Sequence, residues 1–341
     1  MAGSLGSFFP SKRVALFLER HGSWLWWFHS FYGLLLGGAL VWLGTKNYGY
    51  LRIALFHVLF LWGATLFLPS LERLDRLSPQ WRNRLRLFIN YVSRNFYQQL
   101  LYFSIPLYWG STTPGSPQIL FILLVALTAV LATLDVVYDR YLSRRPLLMA
   151  LFFSFTLFVV LNLMLPLLWT IPNRTALVIG CGAGILGFVT SLWKTGFAPV
   201  EKVLFSLGAT FFFLLLTRFG AVMVPPAPLR LHQGHFGTTL SRRPLSIPQP
   251  LNVLPDRGRL FFLGFIKAPL GLQEKVRFLW RGDGVVLSRS PLYTLQGGRK
   301  EGFRLWSTLR LPTSPLKRVD VEILTAGGQL LGRVSLESGR P

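Results

Sequence analysis

Seven apolar stretches, each close to the length that crosses a bilayer, lie between residues 24 and 224, and a strand-patterned tail follows them to Pro341. A hydrocarbon core of about 30 Å requires roughly 20 mostly apolar helical residues. Segments 24–43, 51–69, 96–109, 118–138, 147–169, 176–193 and 203–224 meet or approach that requirement. The third is short, and an amphipathic helix starting near Leu87 extends it. Only helices and closed barrels satisfy every backbone polar group in lipid, so the expectation is a membrane all-α bundle of about seven helices, within a range of six to eight.

Orientation follows from Lys and Arg in the short loops, because the cytoplasmic side retains positive charge. One alternating set of segments holds Lys12, Arg13, Arg20, Arg73, Arg76, Arg82, Arg84, Arg86, Arg94, Arg140, Arg144, Arg145, Lys194 and Lys202, whereas the opposite set holds only Lys46, Arg52 and Arg174. The N-terminus is therefore expected in the cytoplasm, and an odd number of spans carries the tail across. In a bacterium this means a multi-pass inner-membrane protein with a periplasmic C-terminal domain. The first span reads as an uncleaved signal-anchor. Residues 8–20 mix aromatic and basic side chains and suit the inner membrane face.

The division expected is 1–23, a cytoplasmic interfacial segment; 24–224, the bundle; 225–258, a Pro-rich periplasmic linker; and 259–341, a β-sandwich. Proline fixes φ and removes a donor, which predicts an extended, stiff connector after Pro225-Pro226. Strands are predicted at 260–266, 275–280, 284–287, 292–295, 303–309, 318–324 and 330–336. In Val319-Asp320-Val321-Glu322-Ile323 the acids face one way and the apolar side chains the other. Seven short strands with Gly-rich turns predict a small immunoglobulin-like sandwich. With Cys181 alone, and inside a span, no disulfide can brace it, so it must fold on its apolar core.

The 36 basic against 13 acidic residues do not point to nucleic acid, since eighteen basic residues lie in the N-terminal segment, the loops and the spans, and eighteen in a tail expected outside the cytoplasm. Anionic lipid headgroups account for such a charge.

The tail also carries landmarks: Pro269 to Glu274, Lys275-Val-Arg-Phe-Leu-Trp-Arg-Gly-Asp-Gly284, Gln296-Gly-Gly-Arg-Lys-Glu-Gly-Phe-Arg-Leu-Trp-Ser307 and Gly327-Gly-Gln-Leu-Leu-Gly-Arg-Val-Ser335. These resemble a bacterial C-terminal module, the domain of unknown function 2914. Phe96-Tyr-Gln-Gln-Leu-Leu-Tyr, Thr133-Leu-Asp-Val-Val-Tyr-Asp-Arg140 and Leu161-Asn-Leu-Met-Leu-Pro166 resemble the multi-span region that accompanies this module in some proteobacteria. The resemblance implies an inner-membrane protein with a periplasmic β domain, and no reaction.

Polar residues inside spans need partners. Arg218, His57 and Asn162 lie at similar depth, about 9–11 Å from the outer ends of their spans, as a possible pocket for an anionic lipid or solute. Snorkelling of Arg218 to the outer headgroups, with structural interhelical bonds from His57 and Asn162, is the simpler account. A cytoplasmic-end cluster holds Arg94, Gln98, Gln99, Asp135 and Asp139; the two acids, four apart, share a helical face and neutralise nearby arginines. Gly182-Ala-Gly184-Ile-Leu-Gly187 lies within a span, where small residues bring helices together rather than cradle phosphates. Gly180 with Gly184, and Gly33 with Gly37, have the spacing of four that such close approach requires. His232 and His235 lack a third ligand or a helix, so no metal is expected. Ser191 and Lys194 lack the companion motifs of acyl enzymes.

Trp280, Trp306, Phe303 and Tyr293 could form an aromatic platform for a glycan or peptide, but a small sandwich claims Trp280 and Trp306 for its core, which leaves Arg281, Arg299, Lys300 and Arg304 as the basic rim and expected binding surface. No catalytic constellation and no cofactor motif emerges. The expected role is an anchor presenting a periplasmic domain to another envelope component, with membrane lipids and a periplasmic or membrane protein as partners. The alternative is a transporter or lipid-handling protein built around the outer-leaflet pocket.

Overall fold

The computed structural model describes residues 31, 35, 56–64, 78–134, 137–142, 144–169, 171–193, 195–243, 245–269 and 272–339. The expected first span apart from Phe31 and Leu35, most of the second, and Asp135 lie outside the described residues. The chain divides into two compact units, one of residues 1–106, 124–160 and 182–213, the other of 107–123, 161–181 and 214–341.

Helix α1 runs Pro79–Gly110, α2 Gln118–Thr133, α3 Pro146–Trp169, α4 Asn173–Trp193 and α5 Pro199–Met223. Proline opens α1, α3 and α5, where its missing N–H costs nothing and its φ is already helical. Ser78 caps α1 through its hydroxyl, which accepts from Trp81 N–H at 3.4 Å. At α5 the Glu201 carboxylate reaches back to the Ala198 N–H at 2.9 Å, one half of a capping box.

Helices α3, α4 and α5 are long and apolar enough to cross a membrane. Along α5, Val203, Leu204, Leu207, Phe211, Phe212 and Phe219 are all exposed, a surface that lipid tolerates and water does not. Two span boundaries differ from expectation. The expected loop 70–95 is helical from Pro79 on, making α1 32 residues long, about 48 Å. Helix α2 stops at Thr133 rather than continuing to 138, and a π-helical turn, Tyr138–Leu142, follows.

In the first unit, Tyr97 is buried edge-on against Phe152 at 5.0 Å. Where α2 ends, the Gln98 amide donates to the Ala132 carbonyl at 3.0 Å, occupying an acceptor that the helix leaves open. A Cβ on Gly184 would come within 2.6 Å of the Phe213 ring, and one on Gly187 within 2.5 Å of Leu157 Cδ1. These glycines admit side chains from α5 and α3 directly onto the α4 backbone. Ser154 adds a hydrogen bond to the Gly184 carbonyl at 3.0 Å.

The second unit contains ten strands: β1 Arg230–Gly237, β2 Ser241–Arg242, β3 Leu245–Ser246, β4 Arg259–Lys267, β5 Gln273–Gly282, β6 Val285–Arg289, β7 Tyr293–Gln296, β8 Phe303–Arg310, β9 Arg318–Thr325 and β10 Leu330–Glu337. All the pairing is antiparallel. One sheet has the order β1-β4-β8; the other runs β10-β9-β5-β6, with β7 also paired to β5. The two sheets bury one core. Phe262 of the first meets Phe278 and Trp280 of the second at 5.8 and 6.4 Å, edge to face, a favoured aromatic geometry. The buried Trp280 indole N–H is satisfied across the sheets by Ser307 Oγ at 2.9 Å.

All seven sequence-derived strands are present. The stretch expected to be a connector, however, contains β1, β2 and β3, and its Leu229, Phe236 and Leu254 belong to the core. Trp306 is also not in the core. Along β8, Leu305, Ser307 and Leu309 face inward, while Trp306 lies half-buried on the opposite face.

The glycines of α4 give opposite expectations. Gly184→Ala should destabilise by about 1–3 kcal/mol through overpacking against Phe213. Gly182→Ala meets nothing within 4 Å and should gain about 0.5–1 kcal/mol of helix propensity. Thermal unfolding of the full chain in mild detergent separates the two signs.

Candidate functional site

Helix termini leave backbone groups without intrahelical partners. In the second unit, strands supply them. The Asn173 N–H, at the start of α4, donates to Glu274 Oε2 of β5 at 2.9 Å. That carboxylate is buried, lies at the positive end of the helix dipole, and accepts the Lys275 N–H on Oε1 at 3.0 Å. Gln118, fully buried at the start of α2, accepts the Thr113 N–H at 2.9 Å and donates to the Leu330 carbonyl of β10 at 2.7 Å. Gln329, in the turn before β10, donates to the Val224 carbonyl just past α5 at 3.2 Å. Arg174 Nη1 donates to the Gly327 carbonyl at 3.3 Å, and its side chain packs over Gly327.

These bonds share a location. Glu274 lies at the first turn of β5, Gly327 and Gln329 join β9 to β10, and Leu330 opens β10. Arg230, the first residue of β1, places its guanidinium against Gly110, the last residue of α1. The strands therefore meet the helix ends at one end of each sheet, the five-stranded sheet through buried Glu274, Gln118 and Gln329 and the three-stranded sheet through the exposed Arg230.

The outer faces of the two sheets differ in how their arginines are partnered. On the five-stranded sheet the acids of β9 pair with arginines. Glu322, buried, takes Arg281 at 3.1 Å and Arg333 at 2.6 Å, and Asp320 takes Arg318 at 2.8 Å. On the three-stranded sheet none of β1, β4 or β8 contains an Asp or Glu. Its outer face combines Arg230, Lys267, Arg304, Arg259 and Arg310 with Phe261, Phe265 and Trp306. The Arg304 guanidinium lies over Phe265 at 5.4 Å and that of Arg242, from the β2–β3 hairpin, over Trp306 at 6.0 Å. Desolvation first, then the fields of Lys267 and Arg230, hold the His232 imidazole below its usual value.

The expected basic rim is divided. Arg299, Lys300 and Arg304 share the turn into β8 and line an open cavity of about 380 Å³ with Glu301 and Gly302. Arg281 lies seven residues along β5 from Glu274, about 23 Å away, and is taken up by Glu322 and by the Gly284 carbonyl at 3.2 Å.

The residues expected in an outer-leaflet pocket have separate surroundings. Asn162 is buried and donates to Tyr108 Oη at 2.9 Å. Arg218 is exposed, its guanidinium over Phe219 at 5.6 Å. His57 belongs to the other unit, where its ring centroid is 3.9 Å from that of Phe96. In the cytoplasmic-end cluster, Arg94 is buried with its guanidinium over Tyr91 at 5.7 Å, and Gln99 is half-buried. Asp135 and the side chain of Asp139 lie outside the description. His232 is exposed, while the His235 ring stands edge-on to Phe265 at 6.1 Å.

The chain matches the model of a family of unknown function, DUF5924, over residues 12–252. It belongs to that family. The match takes in the helices and continues through β1, β2 and β3, ending before β4. No curated protein matches the chain.

Glu274, Gln118 and Gln329 were not singled out as functional by sequence reasoning, and isolated polar residues beside apolar runs gave no signal for them. Glu274→Gln retains shape and removes the charge that holds the start of α4. Amide exchange across 173–176 should accelerate by at least about ten-fold, since a hydrogen bond to a charged group contributes roughly 1.5–3 kcal/mol. Glu337→Gln, exposed at the far end of β10, should leave it unchanged.

Proposed function

We propose that this chain is a seven-span bacterial inner-membrane protein, N-terminus in the cytoplasm, whose periplasmic β domain binds another component of the cell envelope. On this reading the tail, which resembles the domain of unknown function 2914, is an immunoglobulin-like sandwich, and the protein is a scaffold or assembly factor rather than an enzyme. The alternation of basic and nearly uncharged loops supports the orientation.

The observation that carries the reading is the fixed presentation of a one-sided surface. The hydrogen bonds of Glu274, Gln118 and Gln329 hold the strands on the helix ends. A domain held in that way offers its cation–aromatic face in a defined direction, and aromatic rings with arginines are what interaction surfaces enrich.

A photo-crosslinking residue at Thr308, exposed on the β8 edge strand, should yield a discrete protein adduct in living cells. One at Thr294, exposed on β7 of the other sheet, should not. In the same cells, protease added from the periplasmic side should cleave the tail. Absence of an adduct at Thr308, or a tail reached only from the cytoplasm, would sink the proposal.

A further inference from the structure

Like charges directly opposite on neighbouring strands are destabilising, yet β1 and β4 place Arg230 beside Lys267. Arg304 follows on β8 opposite Phe265, two residues along the same face. The turn that carries Arg299 and Lys300 folds back onto this end of the sheet, with Gly298 N–H donating to the Ala268 carbonyl at 3.0 Å. Gly302, at φ +95°, is pressed against the Ile266 backbone. Among the described residues, Arg304 has one carboxylate neighbour, Glu301, at 2.6 Å, while Arg230, Lys267, Arg299 and Lys300 take part in none of the ion pairs.

Two features give this cluster its position. Arg230 lies against Gly110, the end of α1, and Trp109 and Trp169, at the C-terminal ends of α1 and α3, are exposed. Exposed Trp at the ends of spanning helices marks the headgroup layer. Farther along the same face the β2–β3 segment sets Ile247 against Gly237 and Arg242 over Trp306, while Arg259, Thr308 and Arg310 stay exposed.

We propose that Arg230, Lys267, Arg299 and Lys300, with Arg304, bind the phosphate headgroups of anionic phospholipids in the bilayer that the helices cross. The ligand offsets the repulsion of the Arg230–Lys267 pair, and the bound lipids hold the β domain down on the membrane surface. This rests on the membrane reading of the helices and not on the identity of any protein partner.

The test uses the full chain in nanodiscs of phosphatidylcholine containing one part in five phosphatidylglycerol, with retained lipid counted by native mass spectrometry. The variant R230Q/K267Q/R299Q/K300Q is compared with R257Q/R259Q/R310Q/K317Q, which removes the same charge at the opposite strand ends. Phosphatidylglycerol retention should fall at least about five-fold in the first variant and stay at the wild-type level in the second. Lys267→Gln alone should lower it by a smaller factor without lowering the thermal unfolding temperature in pure phosphatidylcholine discs, where loss of the repulsion can only raise it, which separates lost binding from lost folding. Equal losses in both quadruple variants would reduce the effect to bulk charge and overturn the proposal, as would retention in both. Failure of the wild-type chain to enter discs at all would instead overturn the membrane reading.

Discussion

The need to satisfy backbone groups at the ends of helices governs how this molecule is assembled. A helix ending near an apolar layer leaves N–H and C=O groups that cost free energy unless paired. Here strands pair them. Glu274 receives the Asn173 N–H, Gln329 reaches the Val224 carbonyl, and Gln118 ties α2 to Leu330. These bonds are buried and so barely screened by solvent. They turn a covalent connection into a defined orientation, and every property of the β domain that depends on direction follows from them.

The orientation matters because the domain is electrostatically one-sided. On the five-stranded sheet Glu322 pairs with Arg281 and Arg333, and Asp320 with Arg318. The three-stranded sheet has no carboxylate on any strand and stacks guanidinium groups on aromatic rings instead. A partly exposed guanidinium on a ring keeps its charge available, whereas one shared with a buried glutamate does not. The same residue type, arginine, is therefore tied into ion pairs on one face and stacked on aromatic rings on the other. Arg281 and Arg299, grouped by composition, fall on different sides of that division.

Several features were legible in the chain because they are set by period and residue size. Val319 to Ile323 alternates as read, with Asp320 and Glu322 on the outer face and the apolar residues in the core. Gly184 admits Phe213, the role expected of small residues in a spanning segment. By contrast, β1 was concealed. Arg230-Leu-His-Gln-Gly-His-Phe-Gly237 lacks β-branched residues and follows two prolines, so local preference points to a connector. It is a strand because β4 supplies its hydrogen bonds and Phe236 fills a space in the core. Trp306 was misplaced for the related reason that size alone does not tell which face of a strand is the core.

Composition and spacing by themselves determined a chain of apolar helices with an antiparallel β-rich tail, since hydrophobic period and turn residues act within a few positions of one another. Only the tertiary structure decided which helix ends meet which strands, that α1 extends back to Pro79, and that one sheet is left cationic. Those outcomes depend on pairs far apart in sequence, such as Gln118 with Leu330 and Asn173 with Glu274. A hydrogen bond between such residues leaves no periodic trace, because its partners are selected by the packing of whole elements.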